Sequence, residues 1–139
     1  MTLKLYSMTG RLMSKNVAKY LIDWNKKSRS KLQFNVKQFL KPFWQYQIVY
    51  EEFPVYGTRL KVDILNATKK IAVEVNGSQH TSFNKFFHKT RVNFLRSLQR
   101  DHKKLEWLKV NDFELIEIEE KEVPLVNYEF IEDKFGVKI

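Results

Sequence analysis

The period of the apolar positions changes several times along the chain. Between Arg11 and Lys27, Val17, Tyr20, Leu21 and Trp24 recur at helical spacing, with Ser14 as a cap and lysines on the other face, which predicts a first helix. Ser28 to Ser30 break that pattern. Leu32, Val36, Phe39 and Leu40 can then share one face of a second helix from Lys31 to about Lys41, with Pro42 as the stop. Gln45 to Val55 reads as a strand ended by Pro54, and Tyr56-Gly57 as the turn into a strand from Arg59 to Leu65. Val62, Ile64, Ile71, Val73 and Val75 are β-branched residues at alternating positions, and Asn66-Ala67-Thr68-Lys69-Lys70 between them predicts a tight antiparallel hairpin. Thr81 to Lys89, with Phe83, Phe86 and Phe87, is irregular and reads either as a loop closing over a substrate or as the start of the next helix. From about Thr90 to Lys109, Arg91, Phe94, Leu98, Asp101, Leu105 and Leu108 follow a three-four spacing. Asn111-Asp112 turns into a strand over Phe113–Ile118, and Tyr128 to Glu132 form a closing helix ended at Gly136.

The resulting order is two helices, three antiparallel strands, a crossover helix, a fourth strand and a short tail. A strand, a long helix and another strand fit a right-handed parallel crossover back into the same sheet. The fold class expected is α/β, with a mixed four-stranded sheet flanked by helices.

At 139 residues, 43% apolar and 14% aromatic, the chain fits one folded domain. Its parts are a basic helical stretch over 1–44, a core over 45–118 and a tail over 119–139. The absence of cysteine excludes disulfides, thiolate zinc sites and cysteine catalysis. No run approaches the length of a membrane span, so the expectation is a soluble protein of the cytoplasm or host-cell interior, not secreted and without a membrane partner.

Charge sharpens the picture through its distribution. Residues 1–45 hold ten Lys or Arg against Asp23 alone, so the whole excess of +9 lies there. A second basic concentration runs from Lys85 to Lys109, and 112–133 reverses the sign with nine acids and only Lys121. Such segregation favours a polyanion on one side of the molecule, most simply DNA. Lys15, Lys19, Lys26, Lys27, Arg29, Lys31, Lys85, Lys89 and Arg91 are the cations expected to track its backbone. Phe34, Phe39, Phe43, Trp44 and Tyr46 lie among lysines and offer stacking on unpaired bases, although aromatic residues at helical spacing more often build core.

The candidate chemistry lies in the hairpin. With its turn centred between Thr68 and Lys69, Asp63 falls opposite Glu74 and Lys61 opposite Asn76, while His80 follows beyond Gly77. Like charges across a ladder are destabilising, and two adjacent carboxylates need a cation between them to ionise together. An oxygen-only donor set suits Mg²⁺, with Mn²⁺ expected to substitute. The alternative is that Asp63 and Glu74 point to solvent, with Lys61, Lys69 or Lys70 as surface partners. Glu51 and Glu52, at the end of the preceding strand, should point to opposite faces, and Glu52 is the one expected beside the hairpin acids. Asp101 interrupts an apolar stripe and needs either a partner such as Arg100 or a place in the site. His88 and His102 read as surface residues.

Asp63, then Glu74-Val75-Asn76-Gly77 and Gln79-His80, resembles the core of the PD-(D/E)xK nuclease superfamily. More closely, it is similar to the small endonuclease domains related to very-short-patch repair enzymes, whose strand ends in a V-E-x-[D/N]-G-x-Q-H-like signature. The resemblance spans roughly Gln45 to Ile118. It implies a restriction-endonuclease-like core and a metal-dependent DNA endonuclease, with Asp63, Glu74 and the Val75 carbonyl on Mg²⁺ and His80 acting on the attacking water or the phosphate. Gln79 and Asn76 would hold waters or phosphate oxygens. Asn76 replaces the lysine usual two residues after the glutamate, which makes Lys61 the candidate for that role. No acid is evident on the first helix, which leaves Glu52 as its substitute. By analogy the enzyme would be of phage or mobile-element type, homing or nicking, with long-site specificity supplied by the first 45 residues or by a homodimer. A non-catalytic nucleic-acid binding module and a nuclease acting on RNA are the alternative readings.

Overall fold

The computed structural model describes residues 1–76 and 91–139, and in the second span the side chains at 99, 100 and from 102 onward. The elements are β1 (Thr2–Tyr6), β2 (Leu12–Asn16), a 3₁₀ turn (Ala18–Tyr20), α1 (Lys31–Trp44), β3 (Val49–Pro54), β4 (Lys61–Asn66), β5 (Ile71–Asn76), α2 (Arg91–Val110), β6 (Glu114–Glu119), a second 3₁₀ turn (Glu120–Leu125) and α3 (Tyr128–Phe135). β1 and β2 pair with each other, and the larger sheet has the order β3-β4-β5-β6. β3, β4 and β5 are antiparallel neighbours, and β6 returns parallel to β5 after α2. The expected α/β class, mixed sheet, hairpin and parallel crossover are all present.

Two apolar cores form because the middle strands are covered on both faces. Val49, Ile64, Ile71, Val73, Ile116 and Ile118 pack against Val36, Leu40 and Trp44 of α1 and Ile131 of α3. Tyr50, Leu65 and Ala72 pack instead against Trp107 and Leu108 of α2, with Leu5 of β1 and Val17, just after β2, completing that layer. The β4–β5 turn is built as its residues suggest. Asn66 Oδ1 accepts the Lys69 N–H at 2.9 Å, and Lys70 takes a left-handed φ of +59°.

The expected helix from Arg11 to Lys27 does not form. Its place is taken by the β1–β2 hairpin, whose turn is closed by the Ser7 N–H to the Arg11 carbonyl at 2.8 Å and by Gly10 at φ +85°. Turn chemistry at Ser7 and Gly10 prevails over the helical spacing of Val17, Tyr20, Leu21 and Trp24. Those residues are divided between layers: Val17 enters the α2-side core and Trp24 the α1-side core. The first 44 residues are therefore a strand pair followed by one helix. That helix passes through Pro42 to Trp44, because the proline falls in its last turn, where only one backbone bond is lost, and Trp44 is fully buried beyond it. Of the aromatic residues considered for base stacking, Trp44 is core, Phe43 stacks on Tyr128 with ring centroids 6.2 Å apart, and Tyr46 is 94% exposed. Among the described residues no helix is long and apolar enough to cross a membrane.

A polar seam ties α1 to β3. Lys37 is fully buried, and its ammonium donates to Glu51 Oε1 at 2.9 Å and to the Lys26 carbonyl at 2.8 Å. Removing one partner of a buried ion pair strands the other charge in the interior, typically at a cost of about 3–5 kcal/mol. Glu51→Ala is expected to lower unfolding stability by that order in urea denaturation, and the double variant Lys37→Met with Glu51→Gln to recover much of the loss.

Candidate active site

The two strands of the hairpin part at Asp63. Backbone pairs between β4 and β5 run from Asn66↔Ile71 to Ile64↔Val73. At the next position in that register, side chains stand in for the ladder: the Asp63 N–H donates to Glu74 Oε2 at 3.1 Å, and the Val75 N–H donates to Asp63 Oδ2 at 2.8 Å.

The cause lies one strand away. The Ala67 N–H bonds the Ile48 carbonyl, so even-numbered residues on the β3 side face β4 there; further along, the Val55 N–H bonds the Leu60 carbonyl, so odd-numbered ones do. The phase changes at Glu52, whose φ is +53°. The register itself is the same on both sides, Val49↔Asn66 before and Phe53↔Val62 after, and the side chains record the change of phase. Tyr50 and Phe53 enter one core although they are three apart, as do Val62 and Leu65, whereas strict alternation would send the members of each pair to opposite faces. A left-handed non-glycine residue costs about 1–3 kcal/mol and persists only when its surroundings hold it. Here Gln33 of α1 is the holder, its amide donating to Glu51 Oε2 at 3.0 Å and to Glu52 Oε1 at 3.2 Å. With the phase changed, the Asp63 N–H faces β5, where Glu74 accepts it.

Glu74 is 7% exposed, and its other oxygen accepts from the Lys104 ammonium of α2 at 2.8 Å. Burial, then the charge of Glu74 and a hydrogen bond shared with it, push the Asp63 carboxyl up from 3.8 to about 9, against the opposing pull of the Val75 N–H and Lys104. At neutral pH the pair therefore keeps a proton unless a cation replaces it. A strand residue sends its N–H and C=O out by the same edge. Since the Val75 N–H reaches Asp63, its carbonyl leaves toward the same opening. The donors gathered there are all oxygen, which fits a hard divalent cation and not a soft one.

Asp63 and Glu74 thus meet as the sequence suggests. The Lys61–Asn76 pairing does not form, because the strands have already diverged; Lys61 is exposed and pairs with Pro54 of β3, while Asn76 lies beside Glu119 of β6. The expectation that Glu51 and Glu52 face opposite sides fails too, since one Gln33 amide reaches both carboxylates across the left-handed turn. Glu74 pairs with Glu117 of β6, while Glu52 and Asp63 lie at the gap in the β3–β4 ladder between Glu51↔Ile64 and Phe53↔Val62. Among the described residues, however, no three His, Cys, Asp or Glu groups are placed to hold a single ion. Gln79, His80, His88, Lys85 and Lys89, with the aromatic residues Phe83, Phe86 and Phe87, lie outside the described residues, as do the side chains of Arg91 and Asp101. His102 is exposed and within 2.9 Å of Glu106. Lys15, Lys19, Lys26, Lys27, Arg29 and Lys31 are all exposed.

Lys104 and Gln33 are the site residues missing from the sequence reading. Lys104 carried a signal: it precedes Trp107 by three and Leu108 by four, so it stands on the face of α2 that packs on the sheet. Gln33 carried none, because its role depends on a backbone conformation in another element.

No family model matches the chain, and no solved structure does. The uncharacterized protein 033L of Invertebrate iridescent virus 3 is similar, 34% identical over 80 residues that cover 58% of this chain. The chain spans 41% of that relative's length.

Proposed function

We propose that this chain is a metal-dependent endonuclease that hydrolyses phosphodiester bonds in DNA, with Asp63 and Glu74 as the ligands of Mg²⁺ or Mn²⁺. The observation that carries this reading is the enforced meeting of two carboxyls where the ladder opens, with Asp63 driven far above its ordinary range. Perturbation of that size with a named charge partner is characteristic of functional sites. The ion, when bound, supplies positive charge to a phosphate and acidifies a water. The residues of the chain do the rest. Asp63 and Glu74 hold the cation with the Val75 carbonyl, and Lys104 offsets the charge of Glu74 and lies within reach of an attacking water or a phosphate oxygen. His80 is the proton acceptor expected from the resemblance, Gln79 and Asn76 orient water or phosphate, and Glu52 and Asp101 are the remaining acids to test. A mixed sheet with α1 on one face and α2 on the other is compatible with a restriction-endonuclease-like core. A viral relative accords with a phage or mobile-element enzyme, homing or nicking, working inside a host cell.

One observation favours a second reading, a nucleic-acid binding module without catalysis: Lys104 already neutralises part of the pair. A chelator-sensitive nicking assay separates the two. Asp63→Asn and Glu74→Gln are expected to reduce cutting by roughly 10²–10³-fold or more while leaving DNA binding intact. A wild-type protein that binds DNA yet never cuts DNA or RNA with Mg²⁺ or Mn²⁺ would establish the binding module.

The raised Asp63 group sets a pH dependence. The folded protein retains a proton that the unfolded chain releases near 3.8, so this group's contribution to stability is complete below that value and is lost as pH rises toward about 9. Mn²⁺ competes with that proton. Its effect on the melting temperature is therefore expected to grow from pH 5.5 to pH 8.5 and to vanish in Asp63→Asn. The same variant should raise the metal-free melting temperature at pH 8 by a few degrees, because an amide sits beside Glu74 without taking up a proton on folding and can donate to it. Lys104→Met removes a charge that lowers Asp63, so the pH–rate profile for cutting should move to higher pH, and a profile that stays put would exclude Lys104 from the centre.

A further inference from the structure

We infer that Lys26, Lys27, Arg29 and Lys31 form a preorganised clamp for the phosphates of a nucleic-acid strand entering the Asp63–Glu74 opening. The inference rests on the nucleic-acid part of the function proposed above and not on hydrolysis. Four exposed cations fall within six residues, at the turn into α1. Among the described residues none of them is in an ion pair. Other cations of the amino-terminal third are already engaged: Lys37 is buried on Glu51, Lys41 donates to Asn25 Oδ1 at 2.9 Å, and Lys15 and Lys19 lie over the rings of Tyr56 and Tyr20.

The backbone that carries the four is held from beneath. Gln38 donates to the Trp24 carbonyl at 2.7 Å, Lys37 to the Lys26 carbonyl at 2.8 Å, and the Ser28 hydroxyl to Glu51 Oε2 at 2.6 Å; Ser30 caps α1 by accepting the Gln33 N–H at 3.1 Å. Every one of these bonds uses a main-chain group or a neutral side chain of the loop, so its cationic side chains stay turned to solvent. A loop ordered in advance loses less freedom when it binds. The same anchor fixes its place. Glu51, which receives Ser28, pairs with Ile64 of β4, next to Asp63, whose N–H donates to Glu74.

The test is fluorescence anisotropy with one labelled DNA duplex in EDTA, titrated at several salt concentrations. Lys26, Lys27, Arg29 and Lys31 are changed together to Ser, which keeps the Lys26 carbonyl for Lys37. A control changes the exposed Lys103, Lys109, Lys121 and Lys138 to Ser, with the same loss of charge. The log–log salt slope is expected to fall by about 3.6 in the loop variant, at about 0.9 for each of four phosphates no longer neutralised, and by less than about 1 in the control. Equal falls in both variants, or an unchanged slope in the loop variant, would overturn the clamp. The urea midpoint verifies folding, and Arg29→Glu alone serves if the fourfold variant is unfolded, with weakened binding expected and unchanged binding refuting the clamp. Loss of binding by the loop variant of a protein that never cuts supports the clamp and removes the nuclease; undiminished binding with normal cutting removes the clamp and keeps the nuclease.

Discussion

Two carboxyls that repel each other occupy the point where the central hairpin stops pairing, and the surrounding structure is arranged to tolerate them. Asp63 and Glu74 each take a backbone N–H that a regular ladder would have given to a carbonyl. This exchange satisfies the donors and holds the side chains together, but it leaves too much negative charge in a half-buried place. Lys104 compensates from α2, and a proton supplies the remainder when no cation does. Such a pair is held in place by the fold and would be relieved by a divalent ion, which is the basis for the proposed metal centre.

The opening depends on a second, remote arrangement. Glu52 interrupts the regular alternation of β3 through a backbone conformation that β-strands avoid, without changing the register with β4, and α1 holds it there through Gln33. That amide, the buried Lys37 and the Ser28 hydroxyl all converge on Glu51. One polar seam therefore does two things. It fixes the strand irregularity that frees Asp63, and it fixes the basic turn leading into α1. Coupling the basic turn to the carboxyl pair through shared hydrogen bonds would keep the two in a constant relation, as the proposed strand cleavage at a set distance from a backbone grip requires.

Much of the fold was legible because its signals were local and mutually consistent. The β-branched alternation of β4 and β5 and the polar turn between them gave the register that brings Asp63 to Glu74. Gly136, at φ +67°, ends the last helix where the pattern placed it. The amino-terminal hairpin was missed because Val17, Tyr20, Leu21 and Trp24 mimic a helical face, while the turn at Ser7 to Gly10 that governs the segment is a weaker pattern. Pro42 misled for a related reason: a proline in the final turn of a helix costs one hydrogen bond, and burying Trp44 outweighs it.

The order of residues by itself determined that two acids would face each other across a short turn, that a parallel strand would return after a long helix, and that positive charge would gather in the first third of the chain. These follow from periodicity and turn chemistry, which act over a few residues. Only the tertiary structure decided which cation answers the acids, that Lys61 does not, and that Glu52 bends away from regular strand geometry. Such outcomes depend on groups such as Lys104, thirty residues from Glu74, and Gln33, nineteen from Glu52, meeting through packing, and no local spacing in the chain encodes that meeting.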